Sequence, residues 1–327
     1  MNVTTKSALE MVKEEELVML SNKGFSFTAS SRGAILRELS IAGQQITRDL
    51  VAGETPAGEK GALFCCPIFF ARFPGRRVQF AGHEYIMEYP STIDTAKADP
   101  NNNFIHGFEH YYTWDVVDQS KSHVRFELNA NRFPSSFPFP HTSIVEYRLE
   151  GERDLVISVG IKDCPKPTPA MLTIHPFFKF YLQSGAAAPE FEANLISKFE
   201  YPPNAAEPMA NEAPVALENS GPFCSYKALP KDLDHSFISS GYSRIKWPNG
   251  LELSMVDETS PEVCPIKPLQ VWTTGADSRN AFGIEQGGPA NLFNLVANHK
   301  VPAEWLPVCN QGQTIMRTVR YSSNSNM

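Results

Sequence analysis

The chain has 327 residues, with 29 Lys and Arg against 36 Asp and Glu, and hence a formal net charge of −7. Surplus acid argues against nucleic acid and anionic membrane surfaces as principal partners, because both require a basic face. With 42% hydrophobic residues, 22 Phe and 26 Pro, the chain can fill a large core and supplies the turns of a strand-rich protein, so wholesale disorder is excluded.

A modest helical period is confined to residues 6–16. Lys13 and the acidic run at 14–16 interrupt this start, which no secretory apolar segment tolerates. Downstream, short β-branched and aromatic runs recur at 16–20, 25–29, 34–41, 78–80, 123–129, 143–149, 155–161 and 251–256. Turn signals separate them, among them Ala42-Gly43, Pro74-Gly75, Ala81-Gly82 and Pro248-Asn249-Gly250. Residues 143–159 alternate around Glu150, Gly151, Glu152 and Arg153, the pattern of a hairpin. The stretch 183–214, rich in Ala, Pro, Glu and Asn, carries the least period and reads as a long surface excursion. No β/α rhythm appears and no apolar run reaches the ~18 residues that a membrane helix needs. An all-β protein of large antiparallel sheets is expected, as one domain over residues 1–327. The 6 cysteines (65, 66, 164, 224, 264 and 309) show no metal-site or redox spacing, which fits reduced thiols in a cytoplasmic protein.

Polar residues interrupt apolar, turn-flanked segments at four places. Arg72 breaks the apolar run at 64–73; a guanidinium there needs an anionic or hydroxyl-rich partner, either a structural carboxylate or a ligand. His106 precedes Gly107, which permits close backbone approach. His175 sits among aromatic residues, where burial tunes an imidazole either as a proton donor or as a hydrogen-bonded core residue. Glu285 follows an apolar strand and opens a Gly-rich turn, as a general base or as a turn cap. The histidines fall in different segments with no short-range ligand pair, so no metal is expected, and the common phosphate-loop, dinucleotide and nucleophile-elbow motifs are missing.

Taken in order, these segments resemble the aldose 1-epimerase, or galactose mutarotase-like, family over nearly the whole chain. The strand from Ser31 to Leu39 is similar to the family's opening Gly-Ala strand. The stretch from Leu63 to Tyr85 resembles its arginine-bearing strands, and His106-Gly107-Phe108 with Trp114-Asp115-Val116 resembles its His-Gly-Phe region. Phe137-Pro138-Phe139, His175-Pro176-Phe177, and Ile284-Glu285-Gln286 with Asn294 complete the series. The resemblance implies a β-supersandwich with a concave sugar site. It implies Glu285 as the base at the anomeric hydroxyl, His175 as the acid at the ring oxygen, and His106, Arg72 and Asp234 as substrate-binding residues. Asp232 is a rival to Asp234. Where family members commonly carry Asn before the arginine, this chain has Ala71, which bears on sugar selectivity.

The reaction so implied converts α and β anomers of an aldohexose. Ring opening takes a proton from O1 and gives one to O5, and closure on the other face reverses both transfers, so no cofactor is required. Trp272 offers an apolar platform for a sugar face. Two alternatives remain: an epimerase of hexose 6-phosphates, on account of Arg76 and Arg77, and a non-catalytic carbohydrate-binding protein of the same fold, on account of Ala71. The expected partner is a small-molecule sugar, with the chain a monomer or homodimer.

Overall fold

The structure, a computed structural model, describes residues 14–49, 62–90, 103–200, 210–217, 224–226, 228–230, 233–273 and 280–325. The hairpin legible in the sequence is its longest: Thr142–Glu150 pairs with Asp154–Lys162 from Thr142↔Lys162 to Glu150↔Asp154. Gly151 turns it with φ +54°, a conformation open to glycine at no steric cost. Around this hairpin one antiparallel layer runs Asp115–Gln119, His123–Asn129, the hairpin itself, Thr314–Ser325, Leu251–Asp257, and on to Asp234–Lys246.

A second layer starts from Leu17–Ser21 and continues through Phe25–Ser30, Ile35–Ile41, Leu63–Cys66, Thr173–Pro176, Phe282–Gln286 and Lys267–Thr273. It ends on Asp234–Lys246 as well, so that strand belongs to both layers. Its first half pairs with Lys267–Thr273 and its second half with Leu251–Asp257. Gly241, at φ +93°, lies between the two halves, with the Asp257 and Lys267 side chains 3.3 Å from where a Cβ would stand. A side chain there would be strained in backbone and crowded in space, and glycine lets the strand bend from one layer into the other.

The layers face each other across the core. Phe27 of one lies 5.9 Å from Tyr147 of the other, Tyr147 donates its hydroxyl to Ala34 O at 2.7 Å, and Tyr321 donates to Gln286 Oε1 at 3.2 Å. Inward residues alternate with outward ones, as in His123–Asn129, where Val124, Phe126 and Leu128 are fully buried. The protein is therefore all-β, a β-supersandwich, with the short helix Leu292–Ala297 as a minor addition.

One expectation is corrected. Residues 183–214 are not an irregular excursion throughout, since Glu190–Lys198 is a strand that pairs with Asp234–Lys246. Its inward residues are Phe191, Ala193 and Leu195, and two register shifts interrupt the pairing. The small Ala193 and the Pro- and Ala-rich flanks hid an alternation that is present in the sequence. Residues 6–13 of the expected helical segment and Asp232 lie outside the described residues.

Candidate active site

Opposed residues in an antiparallel pair point to the same side, so strand register alone aligns a row of side chains across the second layer. Phe64 opposes His175, and the pairing of Ile174 with Gln286 sets His175 opposite Glu285. Glu285 opposes Gln270, and Gln270 opposes Ser236. Two positions along the same strands and on the same face, Trp272 opposes Asp234.

At the centre of the row His175 Nε2 lies 3.3 Å from Glu285 Oε1, with side chains only 5% and 3% exposed. The Phe64 and Phe177 rings each lie 4.5 Å from the His175 ring, and the His106 ring meets it edge-on at 5.0 Å. Aromatic packing on several sides holds the imidazole in one orientation, at a contact worth about 0.5–1.5 kcal/mol per pair. Further along, the Ser236 hydroxyl donates to Gln270 Oε1 and the Gln270 amide donates to Asp234 Oδ1. Arg72 Nη1 stands 3.8 Å from Asp234 Oδ2, with side-chain exposures of 28% and 29%. Arg72 is thus a partly exposed cation over a polar relay, and not a member of a buried ion pair.

His106 and Arg72 come to the row from outside the large sheet. Arg72–Phe73 pairs with Phe104–Ile105 in a separate two-stranded ladder. At its end Ala71 and His106 both take a left-handed backbone, each at φ +55°. The two residues brace each other: the Ala71 amide donates to His106 Nδ1 at 3.2 Å, and the His106 amide donates to Ala71 O at 3.0 Å. Because Nδ1 accepts, a neutral His106 carries its proton on Nε2.

The five residues picked from the sequence, Arg72, His106, His175, Asp234 and Glu285, are therefore linked by contacts into one cluster. Glu285 lies inside the strand Phe282–Gln286 and is more deeply buried than a turn-opening residue would be. Trp272 is half-buried, 5.8 Å from Phe177 and edge to face with it. Asn294 plays another part: on the short helix, its side chain accepts from the Gln79 amide at 2.9 Å and donates to Arg77 O at 3.2 Å, tying down a hairpin. Arg77 forms an exposed ion pair with Glu84 across that hairpin. Gln270 and Ser236 escaped the sequence reading, although Gln270 carries the same signal as the others, a polar residue inside the apolar strand Lys267–Thr273. An apolar cavity of about 680 Å³ between Phe80, His83, Phe293 and Val308 is lined by none of Arg72, His106, His175, Asp234 and Glu285.

Comparison with known proteins places the chain in a family. The sequence model of the aldose 1-epimerase family matches residues 16–244. No curated protein gives a significant match. Among solved structures, a galactose mutarotase-like protein from Lactobacillus casei superposes with a TM-score of 0.67 at 16% identity, over 94% of this chain and 100% of that one. An aldose epimerase homologue from C. elegans gives 0.65 at 17% identity, over 95% and 99%. Galactose 1-epimerase from Lactobacillus acidophilus gives 0.64 at 14%, over 97% and 100%. At such identities the structures speak for the fold alone. The sequence match, which spans well over half of the chain, carries the family: the protein belongs to the aldose 1-epimerase family.

Proposed function

We propose that the protein interconverts the α and β anomers of an aldohexose. The observation that carries this reading is the contact of His175 with Glu285, an imidazole and a carboxylate 3.3 Å apart, both buried, beside the partly exposed Arg72 and Asp234. A carboxylate and an imidazolium so close can act on two oxygens bonded to the same anomeric carbon. Glu285 takes the O1 proton while His175 gives its proton to O5, and the C1–O5 bond breaks. After rotation about C1–C2, His175 recovers the proton from O5 as the bond reforms, and Glu285 returns its proton to O1. Both groups end as they began, so proton and charge balance close without a third participant.

His106, with its proton on Nε2, and Arg72 and Asp234 supply hydrogen bonds to sugar hydroxyls, and the Ser236–Gln270 relay holds the Asp234 carboxylate in place. Trp272 and Phe177 form the apolar side against which a sugar face packs. A free aldohexose is favoured over its 6-phosphate because Arg77, one of the two arginines that suggested phosphate, is engaged with Glu84. A cytoplasmic location belongs to the same reading, supported by five free, buried cysteines among the described residues.

The test is anomer exchange followed by NMR on galactose, glucose and their 6-phosphates, with Glu285→Gln as the control. Exchange of a free sugar that the variant loses supports the reading. A folded wild type that accelerates none of them sinks it, and a preference for the phosphates replaces it with the hexose-6-phosphate alternative.

A further inference from the structure

Against the turn that carries His106 lies a carboxyl group that the proposed reaction does not use. Glu109 is 1% exposed. Its Oε2 accepts the Phe108 amide at 3.0 Å, and the amides of Ile68 and Glu109 itself also bear on the group. Oε1 is buried with no hydrogen-bond partner among the described residues. Gly107 makes room for it: a Cβ at that position, where φ is +66°, would stand 2.3 Å from Oε2 and 3.6 Å from the Phe69 side chain. The carboxyl thus sits against the turn that carries His106, and the mutual brace of His106 and Ala71 joins that turn to the segment leading to Arg72.

We propose that Glu109 is a positioning residue of this sugar site: its carboxylate clamps the 106–108 turn and, through the brace of His106 with Ala71, sets His106 and Arg72 against the substrate. The inference rests on the epimerase reading of the site. An ionised carboxylate accepts amide hydrogen bonds more strongly than a neutral carboxyl does, so the clamp is tight when Glu109 has lost its proton. Burial pushes its pKa up to about 7, against the opposing pull of the backbone amides, which puts the change inside the working pH range. Among the groups around it, Tyr112 is held up to about 12 by burial and by the Glu109 charge and stays neutral. His110, the next residue, and His106, across Gly107, are the neighbouring imidazoles, both buried. Among the described residues no Lys or Arg shifts Glu109.

Arg72 and His106 touch the sugar, whereas the proton movers Glu285 and His175 stand on sheet strands, so loosening the clamp falls on KM. In the wild type KM rises as pH drops from 8 to 6. Glu109→Gln, an isostere without the charge, shows KM about tenfold higher at pH 8, flat across that range, with kcat within about twofold. An unchanged KM with an unchanged pH profile, or a loss confined to kcat, overturns the proposal. A second measurement does not depend on the variant folding. In wild type labelled at Glu Cδ, one carboxyl titrates near pH 7 and moves to lower pH when sugar saturates the site, because a ligand that favours the ionised form must lower its pKa. A titration near 7 that sugar leaves in place overturns the clamp. A folded wild type that neither binds nor anomerises any of these sugars overturns the epimerase reading and the clamp with it, whereas an active enzyme indifferent to Glu109 overturns the clamp alone.

Discussion

The site draws its side chains from two kinds of scaffold. His175 and Glu285 stand on neighbouring strands in the middle of a layer, in the same row as Phe64 and Gln270. Their spacing is set by ladder hydrogen bonds and by the register of whole strands, which cannot slip by one residue without turning the apolar set to the wrong face. Arg72 and His106 come from a two-residue ladder and from turns in left-handed backbone, where no repeating pattern fixes anything. Individual contacts take over there: the mutual brace of Ala71 and His106, the Glu109 carboxyl, and the Arg72–Asp234 pair. In the proposed reaction the pair that transfers protons is built into the sheet, whereas Arg72 and His106, two of the proposed sugar-binding groups, sit on the part that side chains hold. Substitutions of His175 and Glu285 should therefore strike kcat, and those of Arg72 and His106 should strike KM.

Glu285→Gln gives the largest expected effect. It keeps shape and hydrogen bonding but removes the proposed base, so kcat should fall by about 100-fold or more with little change in the thermal melt. Steady-state anomer exchange measures it, and near-wild-type kcat in a folded variant would break the assignment of the sheet pair. His175→Asn should cost kcat on a comparable scale. On the proposed roles His106→Asn removes a hydrogen bond to the sugar and leaves the proton donor, so its loss should be smaller and fall mainly on KM. Equal and slight effects at both histidines would erase the distinction between the two scaffolds.

That distinction also explains what the sequence made legible. The strand set was readable because period-two alternation and turn residues survive in the bare sequence; the runs predicted at 123–129 and 251–256 match His123–Asn129 and Leu251–Asp257 to within a residue. The site residues on strands were readable as polar intruders, Glu285 and His175 alike, and Gln270 would have been found by the same rule. Strand order was not readable, because nothing local tells Asp234–Lys246 that it must serve both layers. The mutual brace of Ala71 and His106 joins residues 35 apart in sequence and depends on two left-handed residues that are not glycine. Ala71 and His106 give no local warning of such a conformation, and Glu109 looks like an ordinary surface acid until its burial is seen.

The pH dependence of stability isolates the turn region. Glu109 has its pKa raised to about 7 from the usual 4.5 by burial. A carboxyl raised in the folded state adds stability below the unfolded value and loses it as pH climbs through the folded one. Between about pH 4.5 and 7 the protein should therefore lose about 3 kcal/mol from this group alone. Glu109→Gln should flatten that slope, so that denaturant unfolding at pH 5 and pH 8 differs less in the variant. The same variant would then be stabler at pH 8 and a weaker sugar binder, a combination that loss of packing cannot produce.

The smallest effects belong to the outer turn. Arg72 is over a quarter exposed and 3.8 Å from its carboxylate, so Arg72→Ala should cost about 0–1 kcal/mol of stability, the range of exposed pairs, and not the ~3–5 kcal/mol of a broken buried pair. Its KM should still rise clearly, because the guanidinium faces the polar side of the site. Ala71→Asn tests the neighbouring position more gently. Alanine at φ +55° is held against its preference, and asparagine is among the few residues that adopt this conformation readily. The substitution should leave the melt unchanged or raise it slightly, since the brace to His106 uses only the backbone of residue 71. If the pocket is made for a common aldohexose, the added amide should lower KM for glucose or galactose. A stable Ala71→Asn protein with raised KM for both would mean that the space beside Arg72 is used, and that the natural sugar carries a group where the amide now stands.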